Sequence, residues 1–313
     1  MLIKLTRSIL RSFLWFVLGL VLAISSSAAF SPDWSSAIAQ VRSITQPSTA
    51  LALPTNATLA SFIPTGLPQS NNPAEGSRAV IRNDDRVPVT SRSYPWSAIG
   101  RVEFQDSQGD GYICTGTLVK PEIVLTNAHC VVDPDTQTVY ENIQFAPNLI
   151  DGSLKPGGDR AQVIDLWAGT DFSDRSEPPH PDDWAFLKLD RPLGETYGTI
   201  GWQSVPPSVL IENPEQFILV GYSADFPADN PGETAGAHKG CSILGGMADQ
   251  VLRHNCDTFG GSSGGPILAV IDDEYTIVAV NSSERTEAET GIGIVNFATR
   301  IDRIVEQIQA ATR

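Results

Sequence analysis

From Val80 to Ala298 the chain never escapes turn residues for long enough to build a long helix. Short runs rich in Val, Ile, Leu and aromatics alternate with Gly, Pro, Asp and Asn. The runs that read as strands are Ile99–Phe104, Tyr112–Val119, Glu122–Ala128, Trp184–Leu189, Gln216–Tyr222, Pro266–Ile271, Tyr275–Asn281 and Gly291–Ala298. Many short strands with frequent turns predict an all-β sandwich or barrel. The pattern changes only at the end, where Ile301, Ile304, Val305 and Ile308 stand at i, i+3, i+4 and i+7. That spacing is one apolar face of a helix, from Thr299 to about Ala310. With 41% hydrophobic and 18% charged residues, such a body has enough apolar surface for a sizeable core. There is no internal repeat.

The first 79 residues read differently. Residues 1–29 carry Lys4, Arg7 and Arg11 and no acid, followed by the apolar run Phe13–Ile24 and the small residues Ser27-Ala28-Ala29. Basic start, short apolar core and small-residue exit are the parts of a secretory signal peptide. An uncleaved anchor is the alternative, but a membrane span needs about 20 apolar residues. Ala37-Ile38-Ala39 is a second place for cleavage. The chain is therefore expected to be secreted or periplasmic, and to meet a membrane only through this segment. In residues 30–79 only four of fifty are charged, while six are Pro and thirteen are Ser or Thr. That composition reads as a polar propeptide or linker, or a plain disordered extension. Acidic residues outnumber basic ones 36 to 21, a formal charge of −15, which argues against a nucleic-acid partner.

Three local motifs carry chemistry. CTGTLVKPEIVLTNAHC (Cys114–Cys130) places His129 just before the second cysteine. PDDWAFLKLD (Pro181–Asp190) places Asp183 at the head of an apolar strand. CDTFGGSSGGP (Cys256–Pro266) sets Ser263 in a glycine cluster. A serine hydroxyl is a weak nucleophile at neutral pH and needs an imidazole to take its proton. The imidazole needs a buried carboxylate to hold its tautomer and stabilise its charged form. The developing oxyanion needs backbone N–H donors, and glycine beside the nucleophile permits the turn that aims them. Taken singly, each motif has a plainer reading: a structural histidine, a turn aspartate, a flexible glycine loop. Their joint occurrence, in this order, points to nucleophilic catalysis. Because 54 and 80 residues separate His129, Asp183 and Ser263, only the tertiary fold brings them together.

TNAHC, DWAFLKL and GSSGGP, in that order, resemble the His, Asp and Ser motifs of the chymotrypsin-like serine proteases, and within them the bacterial glutamyl endopeptidase branch. An α/β-hydrolase would run Ser, acid, His with a GxSxG elbow. The resemblance covers about Val80 to the C-terminal helix. It implies two antiparallel six-stranded β-barrels, about 80–195 and 196–298, followed by the helix at about 299–310. It implies His129 as general base and acid, Asp183 as its orienter and Ser263 as nucleophile. The N–H groups of Gly261 and Ser263 become the oxyanion donors. Neither Asp182 nor Ser262 fits these places, since Asp183 opens the strand and Ser263 directly precedes Gly264-Gly265-Pro266. The family has a bridge where Cys114 and Cys130 stand, and Cys241 with Cys256 would close a second loop leading into the nucleophile segment. Loops of about 15 residues contribute roughly 3 kcal/mol in the chain-entropy picture. Export favours disulfides over free thiols, and the lack of a CxxC pair disfavours zinc. No cofactor and no metal are expected.

Substrate-side residues follow from the same resemblance. Thr258 matches a Thr that binds the substrate carboxylate in the glutamate-specific branch, while Asn281 stands where that branch has a His. Asn281 and Ser282 offer hydrogen bonds but no positive charge. Asp257 lies where trypsin-like enzymes select Lys or Arg, although a DT pair occurs in the bacterial branch without that meaning. Ser262 replaces the Asp that pairs with a new N-terminus in the animal digestive members, so that switch is expected to be absent. VIRNDDR (Val80–Arg86) resembles the mature start of the bacterial branch, which places a cleavage between Ala79 and Val80. His180, His238 and His254 read as loop or surface residues. Asp106, Asp110, Asp133 and Asp135 read as turn or solvated residues without EF-hand spacing.

The expected activity is a secreted, monomeric serine endopeptidase acting on peptides or proteins through an acyl-enzyme. Two alternatives stand beside it: a protease-like binding module with catalysis lost, and a Deg-type periplasmic protease lacking PDZ domains.

Overall fold

The computed structural model describes residues 80–311 apart from 82, 175–177, 247–249, 288 and 290–291. The expected signal peptide and propeptide therefore lie outside the described residues. Among the described residues no helix is long and apolar enough to cross a membrane.

The first described segment forms a short strand, β1 (Arg86–Pro88). A closed antiparallel barrel follows, from β2 (Ile99–Gln105), β3 (Gly111–Lys120), β4 (Ile123–Thr126), β5 (Glu141–Pro147), β6 (Ala161–Ala168) and β7 (Ala185–Leu189). Its closed order is β2-β3-β4-β7-β6-β5. Alternation along β2 and β3 turns Val102 and Leu118 inward, where they meet Val124, Phe145 and Leu187, all essentially inaccessible. Closure leaves no unpaired edge for another chain to add to.

The second half contains β8 (Gly201–Trp202), β9 (Phe217–Gly221), β10 (Gly236–Cys241), β11 (Ile243–Gly246), β12 (Leu252–His254), β13 (Pro266–Ile271), β14 (Glu274–Thr286) and β15 (Gly293–Arg300). Together with β1 they make a nine-stranded sheet in the order β1-β10-β9-β13-β14-β15-β12-β11, with β8 parallel to β14. This sheet curls into a half-barrel over Phe217, Leu219, Ile267, Ala269, Val278 and Ala298. It holds more strands than a plain six-stranded barrel for two local reasons. The N-terminal segment pairs with β10 as an added edge, and β8 joins the sheet in parallel beside β14.

The helix expected from the isoleucine spacing runs Ile301–Ala311, with Ile301, Ile304 and Ile308 buried and Val305 partly exposed. All eight strands read from sequence are present, and β14 extends beyond its expected end through the polar Ser282–Thr286. The strands not foreseen include β5, β6 and the glycine- and basic-rich β10 to β12. Their sequences (GAHKGC, ILGG, LRH) are poor strand formers, and it is their neighbours in the sheet that hold them extended.

Candidate active site

His129 lies on the short 3-10 turn Ala128–Cys130 that follows β4, and the turn is tied to β3 by the Cys114–Cys130 disulfide. Asp183 precedes β7, in the same barrel. Its carboxylate is almost wholly buried and collects three donors. His129 Nδ1 lies 2.7 Å from Oδ2, the His129 backbone N–H donates to Oδ1 at 3.0 Å, and Ser282 Oγ donates to Oδ2 at 2.7 Å. With Asp183 ionised, the Nδ1 contact places the imidazole proton on Nδ1 and leaves the lone pair of a neutral ring on Nε2. Burial acts to lower the His129 pKa, but the charge and hydrogen bond of Asp183, with Glu284 adding to them, raise it above the ordinary imidazole value. The same contacts outweigh burial at Asp183 and hold its carboxyl below the usual range.

Ser263 enters from the other half of the molecule, on the loop before β13. The second bridge, Cys241–Cys256, closes at the head of that loop, and no free cysteine occurs among the described residues. The Ser263 hydroxyl donates to the Ser282 carbonyl at 3.2 Å. Gly261 and Gly264 have φ of +100° and +81°. A side chain on Gly264 would collide with Thr126 Oγ1 and the Thr115 carbonyl, so both the conformation and the space require glycine there.

The loop peptides are oriented by named bonds. The Gly260 carbonyl accepts from Ala224 N at 2.8 Å, and the Ser262 carbonyl accepts from Gly265 N at 2.9 Å. A trans peptide points its N–H opposite its C=O. The N–H groups of Gly261 and Ser263 therefore point the other way, and no acceptor among the described residues engages them. First-barrel residues grip the loop: Thr115 N donates to Ser263 O at 2.7 Å, and Thr115 Oγ1 donates to Gly261 O at 3.0 Å. Thr115 and Thr126 gave no sequence signal of this role beyond lying in the histidine motif's stretch.

The substrate-side residues separate into two groups. Thr258, Ser262 and Asn281 form one buried cluster, in which Asn281 Nδ2 donates to Thr258 Oγ1 at 3.0 Å and to the Ser262 carbonyl at 3.2 Å. The Thr258 and Ser262 hydroxyls also contact each other. Ser282, expected to face substrate with its side chain, instead donates to Asp183. Asp257 is buried and turned to the N-terminal segment, with Ile81 N donating to Oδ1 at 3.0 Å and Asp85 N to Oδ2 at 2.9 Å. Arg86 fastens the same segment by ion pairs to Asp84 and Asp225 at 2.7 and 2.8 Å.

The three remaining histidines are buried rather than on the surface. His180 and His238 retain 9% and 8% exposure and His254 none, because each ring accepts a backbone N–H within its loop or sheet. Burial pushes the His254 pKa down to about 4, which the neighbouring Phe297 backbone and Asn281 side chain only partly offset, so His254 is neutral near pH 7. Asp106 and Asp133 cap their own turns, as expected. Among the described residues, two groups bring three ligand-type atoms within 4.8 Å: Cys114, His129 and Cys130, and Asp85, His238 and Asp257. The cysteines of the first are oxidised to a disulfide. In the second, the single lone pair of His238 Nδ1 already receives the Asp257 backbone N–H, and each Asp257 oxygen receives one backbone donor.

A family model described as a trypsin-like peptidase domain matches residues 114–280, a stretch that contains His129, Asp183 and Ser263. The chain is 26% identical over 195 residues to a glutamyl endopeptidase of Bacillus licheniformis, covering 61% of this chain and 55% of that protein. It is 25% identical over 221 residues to a protein of Bacillus subtilis named extracellular metalloprotease, covering 70% of this chain and 66% of that one. The matches thus span between about half and two thirds of those relatives. Among solved structures, a Glu endopeptidase in complex with MPD aligns with a TM-score of 0.58 at 22% identity, over 74% of this chain and 99% of that one. The protease Anisep from Arthrobacter nicotinovorans aligns with a TM-score of 0.54 at 21% identity, over 70% and 96%. These structural likenesses speak for the fold.

Proposed function

This chain belongs to the trypsin-like peptidase family, and on that premise we propose that it is a secreted serine endopeptidase using His129, Asp183 and Ser263. The carrying observation is the joint geometry of two features: a buried carboxylate bonded to His129 Nδ1, and a glycine loop whose Gly261 and Ser263 N–H groups are left without acceptors. In the proposed reaction a rotation about the Ser263 Cα–Cβ bond carries Oγ from the Ser282 carbonyl to His129 Nε2. Nε2 takes the hydroxyl proton as Oγ attacks the peptide carbonyl. The two N–H groups receive the oxyanion. His129 then protonates the departing amine, and water, deprotonated by His129, releases the acyl group.

Support for secretion comes from the two disulfides, the basic–apolar–small pattern of residues 1–29 and the word extracellular in one relative's name. The side-chain pocket is proposed to be neutral and hydrogen bonding, built on Thr258 and Asn281. Asp257 is not a free anion at its floor, because two backbone N–H groups of the 80–85 segment engage it. A preference for Lys or Arg is therefore not expected. The burial of Val80 and the bonds of Ile81 N and Asp85 N to Asp257 also support a mature chain that begins at Val80.

A fluorophosphonate probe tests the reading, followed by digestion of a diverse peptide mixture and mass spectrometry. The expected result is one adduct, on Ser263, a mature start at Val80, and peptide cuts not concentrated after Lys or Arg. A folded, oxidised protein that neither labels nor cuts would instead favour the silent binding module, in keeping with the Ser263 hydroxyl resting on the Ser282 carbonyl.

The pH dependence has a definite sign. A general base works only when neutral, so activity falls as pH drops through the raised His129 pKa. Glu284→Gln removes one negative charge that favours the imidazolium. The acid limb of kcat/KM is expected to move to lower pH, and the shift to shrink in high salt, because Glu284 is exposed. An unchanged limb at low salt would show that Glu284 does not act on His129.

A further inference from the structure

We infer that the C-terminal helix is a clamp that positions Asp183, with Arg303 and Gln307 as positioning residues for the proposed reaction; the inference rests on the peptidase reading of His129, Asp183 and Ser263. Three consecutive residues ahead of β7 are each bonded to the end of the chain. Arg303 Nε and Nη2 donate to the two carboxylate oxygens of Asp182 at 2.7 and 3.3 Å. Thr299 Oγ1 donates to the Asp183 carbonyl at 3.0 Å. Trp184 Nε1 donates to Gln307 Oε1 at 2.6 Å. Residues 303 and 307 are four apart on one face of the helix, and with Thr299 at the end of the last strand they form one polar seam against residues 182–184. The adjoining face, Ile301, Ile304 and Ile308, is buried, so the seam cannot swing away from the core.

The clamp crosses the molecule. Asp183 belongs to the first barrel, whereas the helix follows the last strand of the second sheet. The first barrel holds the same tripeptide from its own side: Asn127 Nδ2 donates to the Asp183 carbonyl at 2.6 Å, Asp182 N to His180 Nδ1 at 3.0 Å, and Gly169 N to the Trp184 carbonyl at 2.8 Å, so the helix supplies a second, independent hold. A planar guanidinium on both oxygens of a carboxylate fixes orientation as well as distance, which a lysine cannot do. Both partners are largely shielded, with side chains 27% and 15% exposed, so solvent competes weakly. The Asp183–His129 contact of 2.7 Å is thus braced from behind as well, by residues that touch neither substrate nor the reacting atoms.

The test uses the mature full chain with Arg303→Gln, which removes the fork, and Arg303→Lys, which keeps the charge. For Arg303→Gln, kcat is expected to fall about tenfold with KM little changed, since small misplacements of catalytic groups are costly. The low-field proton resonance of His129 Nδ1 is expected to move upfield, and the imidazole midpoint to fall as its bond to Asp183 loosens. Loss of the Arg303 charge alone would push that midpoint upward, so the sign separates positioning from a through-space effect. The charged groups acting on His129 are Asp183 and Glu284, which both variants retain. Arg303→Lys should recover part of kcat. The clamp is refuted by an unchanged kcat and resonance with only a lower melting temperature, or by an upward midpoint. Should the unaltered protein cleave no peptide, the peptidase reading fails by itself, and the His129 resonance in the two variants still decides the clamp.

Discussion

Replacing Ser263 with alanine is expected to lower kcat by about 10⁶-fold, roughly 8 kcal/mol of activation free energy, while leaving the fold intact. The size follows from the site's construction. Without Oγ there is no acyl-enzyme, and His129 and Asp183 have no proton to move. What remains is the oxyanion donors and substrate binding, which keep a residual acceleration over water. The structural cost is small, because the Ser263 side chain makes one hydrogen bond, to the Ser282 carbonyl, and the loop is held by backbone bonds that alanine preserves. Peptide cleavage followed by mass spectrometry, with a melting curve alongside, checks both halves. Cutting at even a hundredth of the original rate, from a preparation free of other proteases, would assign the nucleophile elsewhere.

Asp183→Asn is expected to lower kcat by about 10⁴-fold at neutral pH, roughly 5 kcal/mol. The surrounding donors decide which way the new amide lies. At the Oδ1 position its NH₂ would face the His129 backbone N–H, donor against donor. It must therefore lie at the Oδ2 position, facing His129 Nδ1 and the Ser282 hydroxyl. The hydroxyl can rotate to accept, but Nδ1 must then accept as well, which moves the ring proton to Nε2. A ring protonated at Nε2 cannot take the Ser263 proton. Loss of the carboxylate also removes the main support for the imidazolium, so the His129 midpoint should fall. A kcat within tenfold of the original, or an unshifted midpoint, would show that Asp183 does not hold the tautomer.

Much of the fold was legible because β-strands leave a short-range signature. Ile99 to Phe104 carries Ile, Val and Phe between turn signals, Pro266 to Ile271 is an apolar run, and the structure places strands there almost residue for residue. The C-terminal helix was legible from the spacing of Ile301, Ile304 and Ile308. The short strands β10 to β12 were not, since Gly, His and Lys give no local preference and only the paired neighbours hold them extended. The addition of β1 to the second sheet was equally hidden: it depends on a segment pairing with a strand about 150 residues away.

The candidate site divides along the same line. The identity of His129, Asp183 and Ser263, the glycines around the nucleophile and the four bridging cysteines stood in the sequence, because chemistry demands particular residue types and tight turns demand glycine. Where these groups point was a tertiary matter. Ser282 serves Asp183 with its hydroxyl, Asp257 is engaged by the backbone N–H groups of Ile81 and Asp85, and the histidines read as loop or surface residues are buried, His180 within a loop. Thr299, Arg303 and Gln307 reach the aspartate loop across more than a hundred residues. The physical reason is range. A residue type, a turn or a periodic face is set by a few neighbours along the chain, whereas a hydrogen-bond partner is set by whichever group the folded chain brings within about 3 Å.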